Sequence, residues 1–277
     1  MLGSMRYGEE RGPLAIAHRG GLALGPENTL ATFARATALG VRYLETDVRT
    51  TSDCELVCFH DSTLERVTGQ PGSVAGHTLS TLRRLRVEGH EQIPTLAEAL
   101  AALPDARFAI DLKDDGAGPA LVALLRAHPD WAGRICVAGA WSGRLLQVQR
   151  AAPHVTTALG WRALTALIAA SRSYARPPAR VASGTFAHVP LRLGRVPIYA
   201  ERVVRRAHAL DIRVVVWTVN DQQTMHGLLD AGVDAIITDH PDLLREVLIS
   251  RDQWSGLGTG PRRVSGVLHT ESASAQH

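Results

Sequence analysis

Eight short runs of strand-forming residues alternate along this chain with stretches of helical periodicity, and that alternation limits what it can fold into more than any single motif does. Strands joined through helices run parallel, because a parallel pair needs a crossover long enough to return to the same end of the sheet. The strand-like runs cover residues 14–17, 42–48, 107–112, 134–138, 155–159, 180–182, 213–217 and 234–238. Helical patterns fall at 29–39, 96–103, 120–128, 143–151, 163–171, 200–210, 221–231 and 242–248. Eight such units predict an α/β fold, a (β/α)8 barrel, and 277 residues suit one domain of that kind at about 250. A ninth run, 55–59, follows the second strand after a few turn-type residues that include Thr51, Ser52 and Asp53. It lies too close for a helical crossover and reads as a small β-hairpin inserted in the second strand-to-helix connection. Asn28 is placed as a helix N-cap, and Gly40 and Gly232 stand just past helix ends, where a left-handed residue is wanted.

Residues 1–250 therefore form the expected single barrel domain, and 251–277, rich in Gly and Ser, read as a flexible C-terminal tail. At 45% apolar and 21% charged residues the chain is not disordered throughout. No run approaches the roughly 18 apolar residues of a membrane helix, and the first eleven residues lack the apolar stretch of a signal peptide. The expectation is a cytoplasmic protein without stable membrane insertion. The net charge is only +3 and no Lys/Arg run exceeds two, which argues against nucleic acid as a partner. Cys54, Cys58 and Cys136 form no CxxC pair and read as small buried residues in a reducing compartment. No feature of the sequence sets an oligomeric state.

The informative polar residues sit where these strands end. His18 and Arg19 follow the first strand, Glu45 and Asp47 close the second, His60 and Asp61 end the hairpin arm, Asp111 and Lys113 close the third, and Trp217 and Asn220 close the seventh. In a parallel barrel those ends converge on one face, where active sites are built. Glu45 and Asp47 are two residues apart, so both point the same way. Adjacent buried carboxylates raise each other's pKa unless a cation lies between them, and a hard Mg²⁺ or Ca²⁺ ion with Asp111 as third ligand answers that. A Glu-x-Asp pair can also simply face solvent, and Arg19 and Lys113 can serve only to neutralise acids. A lone histidine after a strand is more often a packing residue, but two at one barrel end, His18 and His60, suit an acid and a base. His77, His90, His128, His154, His188, His208 and His226 lack this placement and read as surface or packing residues. Cations beside a hard metal favour an anionic, oxygen-rich substrate, hence phosphoryl-ester cleavage over hydride transfer or aldol chemistry. No Gly-x-Gly-x-x-Gly or Gly-Lys-Ser/Thr motif supports a nucleotide reading.

The matching text is Ala17-His18-Arg19-Gly20-Gly21, Pro26-Glu27-Asn28-Thr29, Leu44-Glu45-Thr46-Asp47-Val48, Phe59-His60-Asp61, Ile93-Pro94-Thr95-Leu96, Asp111-Leu112-Lys113, Val216-Trp217-Thr218-Val219-Asn220 and the run 232–239, Gly-Val-Asp-Ala-Ile-Ile-Thr-Asp. In that order the chain resembles the glycerophosphodiester phosphodiesterase family, whose fold is a phospholipase C-like phosphodiesterase TIM barrel, over residues 14–249. The resemblance implies metal-dependent hydrolysis of a glycerophosphodiester, a small-molecule substrate, to sn-glycerol 3-phosphate and an alcohol. Position by position it implies His18 and His60 as the acid/base pair, Arg19 and Lys113 as phosphate clamps, and Glu45, Asp47 and Asp111 as ligands of Mg²⁺ or Ca²⁺. Trp217 becomes an apolar wall for the glycerol, and Glu27 a support for the first loop.

Two positions depart from the family pattern. Asp111 stands where a longer Glu is usual, so the metal can shift, gain a water or be a different hard ion. Cys54 occupies a hairpin-turn position that is usually Gly, which predicts a distorted turn or an unusual φ. Two alternatives remain in view. A phospholipase D-like lyase would give a cyclic phosphate and expose a hydrophobic loop. A non-catalytic phosphoester-binding barrel would lack a core site residue, and here none is missing. The leaving alcohol is chosen by the loops at 61–94 and 141–199.

Overall fold

A computed structural model gives the structure of the chain, described over residues 6–10, 12–139, 142–172, 186–193, 196–197 and 200–257. The eight barrel strands are β1 (Leu14–Ala17), β2 (Tyr43–Thr50), β4 (Arg107–Leu112), β5 (Ile135–Ala138), β6 (Thr156–Thr157), β7 (Phe186–Pro190), β10 (Arg213–Trp217) and β11 (Ala235–Thr238). Each pairs in parallel with the next in chain order, except β6 with β7. The ring closes through β1 against β11, with Ile16 opposite Ile237, and through a parallel bridge from Ala158 to Phe186 beside β6. This is the expected (β/α)8 barrel. Strand β3 (Leu56–Cys58) turns back antiparallel on β2, so the hairpin also stands where the sequence places it. A second hairpin, β8 (Arg192–Leu193) with β9 (Val196–Pro197), lies outside the barrel sheet.

The sixth run of the sequence reading, 180–182, lies outside the described residues. The strand that fills this place in the ring is β7, where no strand is expected from the sequence. Its text, Phe-Ala-His-Val-Pro, carries a histidine and a proline and so lacks the apolar look of its neighbours. Helices α1 (Leu30–Ala38), α4 (Leu96–Ala102), α5 (Ala117–Ala127), α6 (Ser142–Ala151), α7 (Trp161–Ser171), α8 (Ala200–His208), α9 (Gln222–Asp230) and α10 (Pro241–Ser250) follow the predicted periodicity within a few residues. Two one-turn helices, α2 (Glu65–Thr68) and α3 (Leu79–Leu82), were not expected. They belong to the extended hairpin connection, whose own small core gathers Val57, Phe59, Leu64, Val67, Leu82 and Ile93.

Local chemistry explains the boundaries. Thr95 and Glu98 make a reciprocal capping box at α4, and Asp221 caps α9 through the Thr224 amide. The cap of α1 is Thr29, which accepts from the Thr32 amide, not Asn28 as the sequence suggests. Asn28 instead has φ 57° and points into the barrel mouth. Inside the barrel, side chains from the inward face of each strand pack as a separate core, among them Ile16, Tyr43, Ala109, Cys136, Phe186 and Val215. Tyr7 closes the bottom, edge-on to Tyr43 and Phe186 at ring separations of 5.0 and 5.5 Å.

Two expectations need correction. Cys54 is exposed, whereas Cys58 and Cys136 are buried as expected. The predicted tail does not begin at 251: Trp254 packs against both helix-layer cores, and the Leu257 amide donates to the Gly40 carbonyl at 2.7 Å. Residues 258–277 lie outside the described residues. The unusual φ expected at Cys54 is observed: at φ 65° it takes the left-handed geometry. Replacing Cys54 by Gly is therefore expected to raise the unfolding free energy by about 0.5–1 kcal/mol, the left-handed penalty less the extra chain entropy of glycine. Urea unfolding measures it, and a variant less stable than the parent would contradict the turn geometry.

Candidate active site

Strand β1 delivers its last residue, Ala17, to the barrel rim, and the chain then makes one 3₁₀ turn over His18–Gly20 with Arg19 at φ 50°. Gly20 is needed there: at φ +89° a Cβ would sit 2.7 Å from the Phe33 ring. The turn aims the Arg19 amide at Glu45 Oε2, 2.9 Å away, and its guanidinium at Glu27 and Asp47, both at 3.1 Å. Glu45 and Asp47 share the inward face of β2, and the register of β2 on β4 sets Asp47 directly beside Asp111. Lys113, two residues beyond Asp111, returns its ammonium between them, 2.8 Å from Asp47 Oδ1 and 2.7 Å from Asp111 Oδ2. Asn28, left-handed and buried, accepts from Thr46 Oγ1 at 2.7 Å and donates to Asp47 Oδ2 at 3.3 Å, which fixes the strand end.

The two buried acids behave oppositely. Burial raises Asp47, but Lys113 and Arg19 more than offset this and hold it below the usual carboxylate range. Glu45 has only the Arg19 amide and the His18 ring, whose Nε2 is 3.9 Å away, so burial and then the charge of Asp47 push it up to about 7. For Lys113, burial lowers the pKa, but Asp47 and Asp111 bring it above normal overall.

Each histidine is backed by a carboxylate. His18 Nδ1 pairs with Asp239 Oδ1 at 2.6 Å, which turns Nε2 toward Glu45. Asp239, the first residue past β11, is itself held by Asn220 Nδ2 at 2.6 Å. Burial works against protonation of His18, yet the hydrogen bond to Asp239 and the charge of Glu45 raise its pKa overall. His60 Nδ1 pairs with Asp61 Oδ1 at 2.6 Å. Arg66 on α2 then bridges Asp61 to Glu27, meeting both Glu27 oxygens at 2.9 and 2.7 Å. This arginine holds Asp61 down to about 2 and leaves Glu27 below its ordinary value despite burial.

A cavity of about 360 Å³ joins His18, Arg19, Glu45, Asp47, His60, Asp111 and Lys113 on one wall. The opposite wall is apolar and includes Ala138, Ala158, Leu159, Trp161, Leu164 and Trp217, with His188 among them. Of the nine residues singled out from the sequence, eight line this cavity; Glu27 stands behind Arg19. Sequence reasoning missed Asp239, Asn28 and Arg66. Asp239 obeys the same strand-end rule as His18, whereas Arg66 lies on an unpredicted helix and carries no such signal. His188, read as a packing or surface residue, faces the cavity instead.

In donor chemistry the acids fit a hard divalent cation, since Glu45 is a buried carboxylate with no Lys or Arg side chain paired to it and only the His18 ring 3.9 Å away. Among the described residues, however, no three His, Cys, Asp or Glu side chains stand close enough to hold an ion as placed. The Glu45 shift has a consequence for stability. An unfolded chain releases this proton near pH 4.5 and the folded one near 7, so metal-free protein loses stability as pH rises through that window. Glu45→Gln should flatten the loss, with a melting-temperature gap to the parent that widens by on the order of 5 °C between about pH 5 and 8 in EDTA. Parallel profiles for parent and variant would contradict the buried, uncompensated carboxylate.

The profile of the Glycerophosphoryl diester phosphodiesterase family matches residues 18–243. A curated Mycobacterium tuberculosis protein named "Probable glycerophosphodiester phosphodiesterase 2" is 38% identical over 262 residues, covering 91% of this chain and 96% of that one. The glycerophosphodiester phosphodiesterase of Caldanaerobacter subterraneus subsp. tengcongensis is 29% identical, covering 83% and 96%. The fold superposes on an Oleispira antarctica phosphodiesterase solved with its product sn-glycerol-3-phosphate, at a TM-score of 0.72 and 22% identity over 86% of this chain and 97% of that one. With strand ends, cavity and sequence in agreement along its length, the chain belongs to the glycerophosphoryl diester phosphodiesterase family.

Proposed function

We propose that the chain hydrolyses glycerophosphodiesters to sn-glycerol 3-phosphate and an alcohol by acid/base catalysis between His18 and His60. The observation that carries this is the pair of carboxylate-backed imidazoles lining one cavity with Arg19 and Lys113. Both histidines give Nδ1 to a carboxylate, so each keeps Nε2 for the reaction. Arg19 and Lys113 bind the phosphate and stabilise the charge that grows on its oxygens. One imidazole takes a proton from the nucleophile and the other gives one to the leaving alkoxide. The raised pKa of His18 suits it to the donor role. Trp217 walls the organic part of the substrate, and Glu27, shared by Arg19 and Arg66, keeps the clamp in place.

Charge supports a divalent ion as well. Among the described residues the six acids Glu27, Glu45, Asp47, Asp61, Asp111 and Asp239 outnumber the four permanent cations near them, Arg19, Arg49, Arg66 and Lys113, so further positive charge would help a phosphodiester anion to enter. Glu45, Asp47 and Asp111 are the residues that would hold Mg²⁺ or Ca²⁺, which when bound supplies Lewis-acid stabilisation of a phosphate oxygen. The family comparison and the relatives' names support the substrate class, and the acidic wall supports the metal.

Incubation with glycerophosphodiesters is expected to release glycerol 3-phosphate, and His18→Ala or His60→Ala should cut turnover by about 10²- to 10⁴-fold. Wild-type rates in either variant would remove the acid/base assignment, and a cyclic phosphate as sole product would favour the lyase. Chelation should abolish turnover and Mg²⁺ or Ca²⁺ restore it; activity unchanged after exhaustive metal removal would defeat the metal. Asp239→Asn should leave the fold intact and shift the alkaline limb of the rate profile to lower pH, because His18 loses the bond that raises its pKa. An unmoved alkaline limb would show that His18 is not the donor.

A further inference from the structure

Apart from the indole N–H groups of Trp161 and Trp217, His188 is the one polar side chain on the apolar wall of the cavity among the described residues. Alternation along β7 explains its direction: Ala187 and Val189 pack outward into the helix layer, while Phe186 joins the barrel interior, so His188 points inward as well. Following the strand register around the barrel places it in one ring with Glu45, Ala138 and Ile237, each from an alternate strand. In that ring of four His188 stands across from Glu45. Its Nε2 is buried and finds no hydrogen-bond partner among the described residues. Burial drives the imidazole down to about 4, so it enters the cavity neutral, with one ring nitrogen to donate and one to accept. An unpaired buried nitrogen weakens the fold, and a ligand hydroxyl in the cavity would relieve it.

We propose that Nε2 of His188 hydrogen-bonds a hydroxyl of the organic group esterified to the phosphate, making His188 a specificity-determining residue for hydroxylated groups held on the apolar wall. The inference rests on the phosphodiesterase reading above and deepens it. Ala138, Ala158, Leu164 and Ile237 give carbon atoms their contact but offer no side-chain polar group for a hydroxyl, and the indoles of Trp161 and Trp217 can only donate. The hydroxyl can belong to the glycerol 3-phosphate arm or to the leaving alcohol, and the same chemistry serves both.

The test compares glycerophosphoglycerol with two analogues, each lacking both free hydroxyls of one arm, across wild type, His188→Leu and His188→Asn. Wild type is expected to lose about 10- to 100-fold in kcat/KM on one analogue, which identifies the arm, because the site's buried nitrogen is then unpaired. His188→Leu should lose a similar factor on the parent substrate, chiefly in KM, and little on that analogue, with His188→Asn in between. Equal wild-type rates on all three substrates, or an equal loss on all three in a folded His188→Leu variant, would overturn the proposal. Should that variant not fold, the wild-type comparison decides. Calorimetry of wild type with sn-glycerol 3-phosphate against propane-1,3-diol phosphate and propane-1,2-diol 1-phosphate reads the same hydrogen bond on that arm without turnover. Absence of any hydrolysis by wild type would strike the phosphodiesterase reading, whereas hydrolysis blind to the hydroxyls would strike only the role of His188.

Discussion

Two carboxylates buried on one face of a single strand, Glu45 and Asp47, set the terms for everything at the barrel mouth. Burial makes them costly, and the surrounding chain answers with cations drawn from elements distant in sequence. The 3₁₀ turn after β1 brings Arg19, the register of β4 on β2 brings Asp111 and with it Lys113, and the left-handed Asn28 pins the strand end. Asp47 is satisfied by this arrangement and Glu45 is not. That asymmetry is why one acid stays ionised while the other is driven up to about 7. The site is thus left short of positive charge where an anionic substrate has to bind.

The histidines are held by a different device. Each has one ring nitrogen fixed by an acid that lies outside the central cluster, Asp239 for His18 and Asp61 for His60. Those acids are in turn anchored, by Asn220 and Arg66. Arg66 also links the second histidine to the first loop through Glu27, so the clamp arginine and His60 share one network. A change in the hairpin insertion therefore reaches Arg19 without any contact to substrate.

Much of this was legible before the structure. Parallel strands converge at one rim, so the strand-end rule alone collected His18, Arg19, Glu45, Asp47, Asp111, Lys113 and Trp217, and the antiparallel arm added His60. The same rule reaches Asp239, which went unclaimed because its partner is set by ring closure between β11 and β1, a contact no local pattern shows. Arg66 lay beyond reach because the one-turn helix that carries it is formed by packing in the insertion and not by periodicity. The misplacement of the sixth barrel strand hid His188. Once the strand is Phe186–Pro190, alternation turns that residue inward, whereas a loop position gives it no direction. The helix cap assigned to Asn28 failed for a related reason: a competing demand from the buried end of β2 took its side chain, and Thr29 was available to cap.

The most direct measurement is a crystal structure of the protein with sn-glycerol 3-phosphate. The account predicts phosphate oxygens within about 3.2 Å of both the Arg19 guanidinium and the Lys113 ammonium, with the Nε2 atoms of His18 and His60 turned toward them. A phosphate bound outside the cavity, or one seated in it with Arg19 and Lys113 still locked onto Asp47 and out of reach, would contradict it.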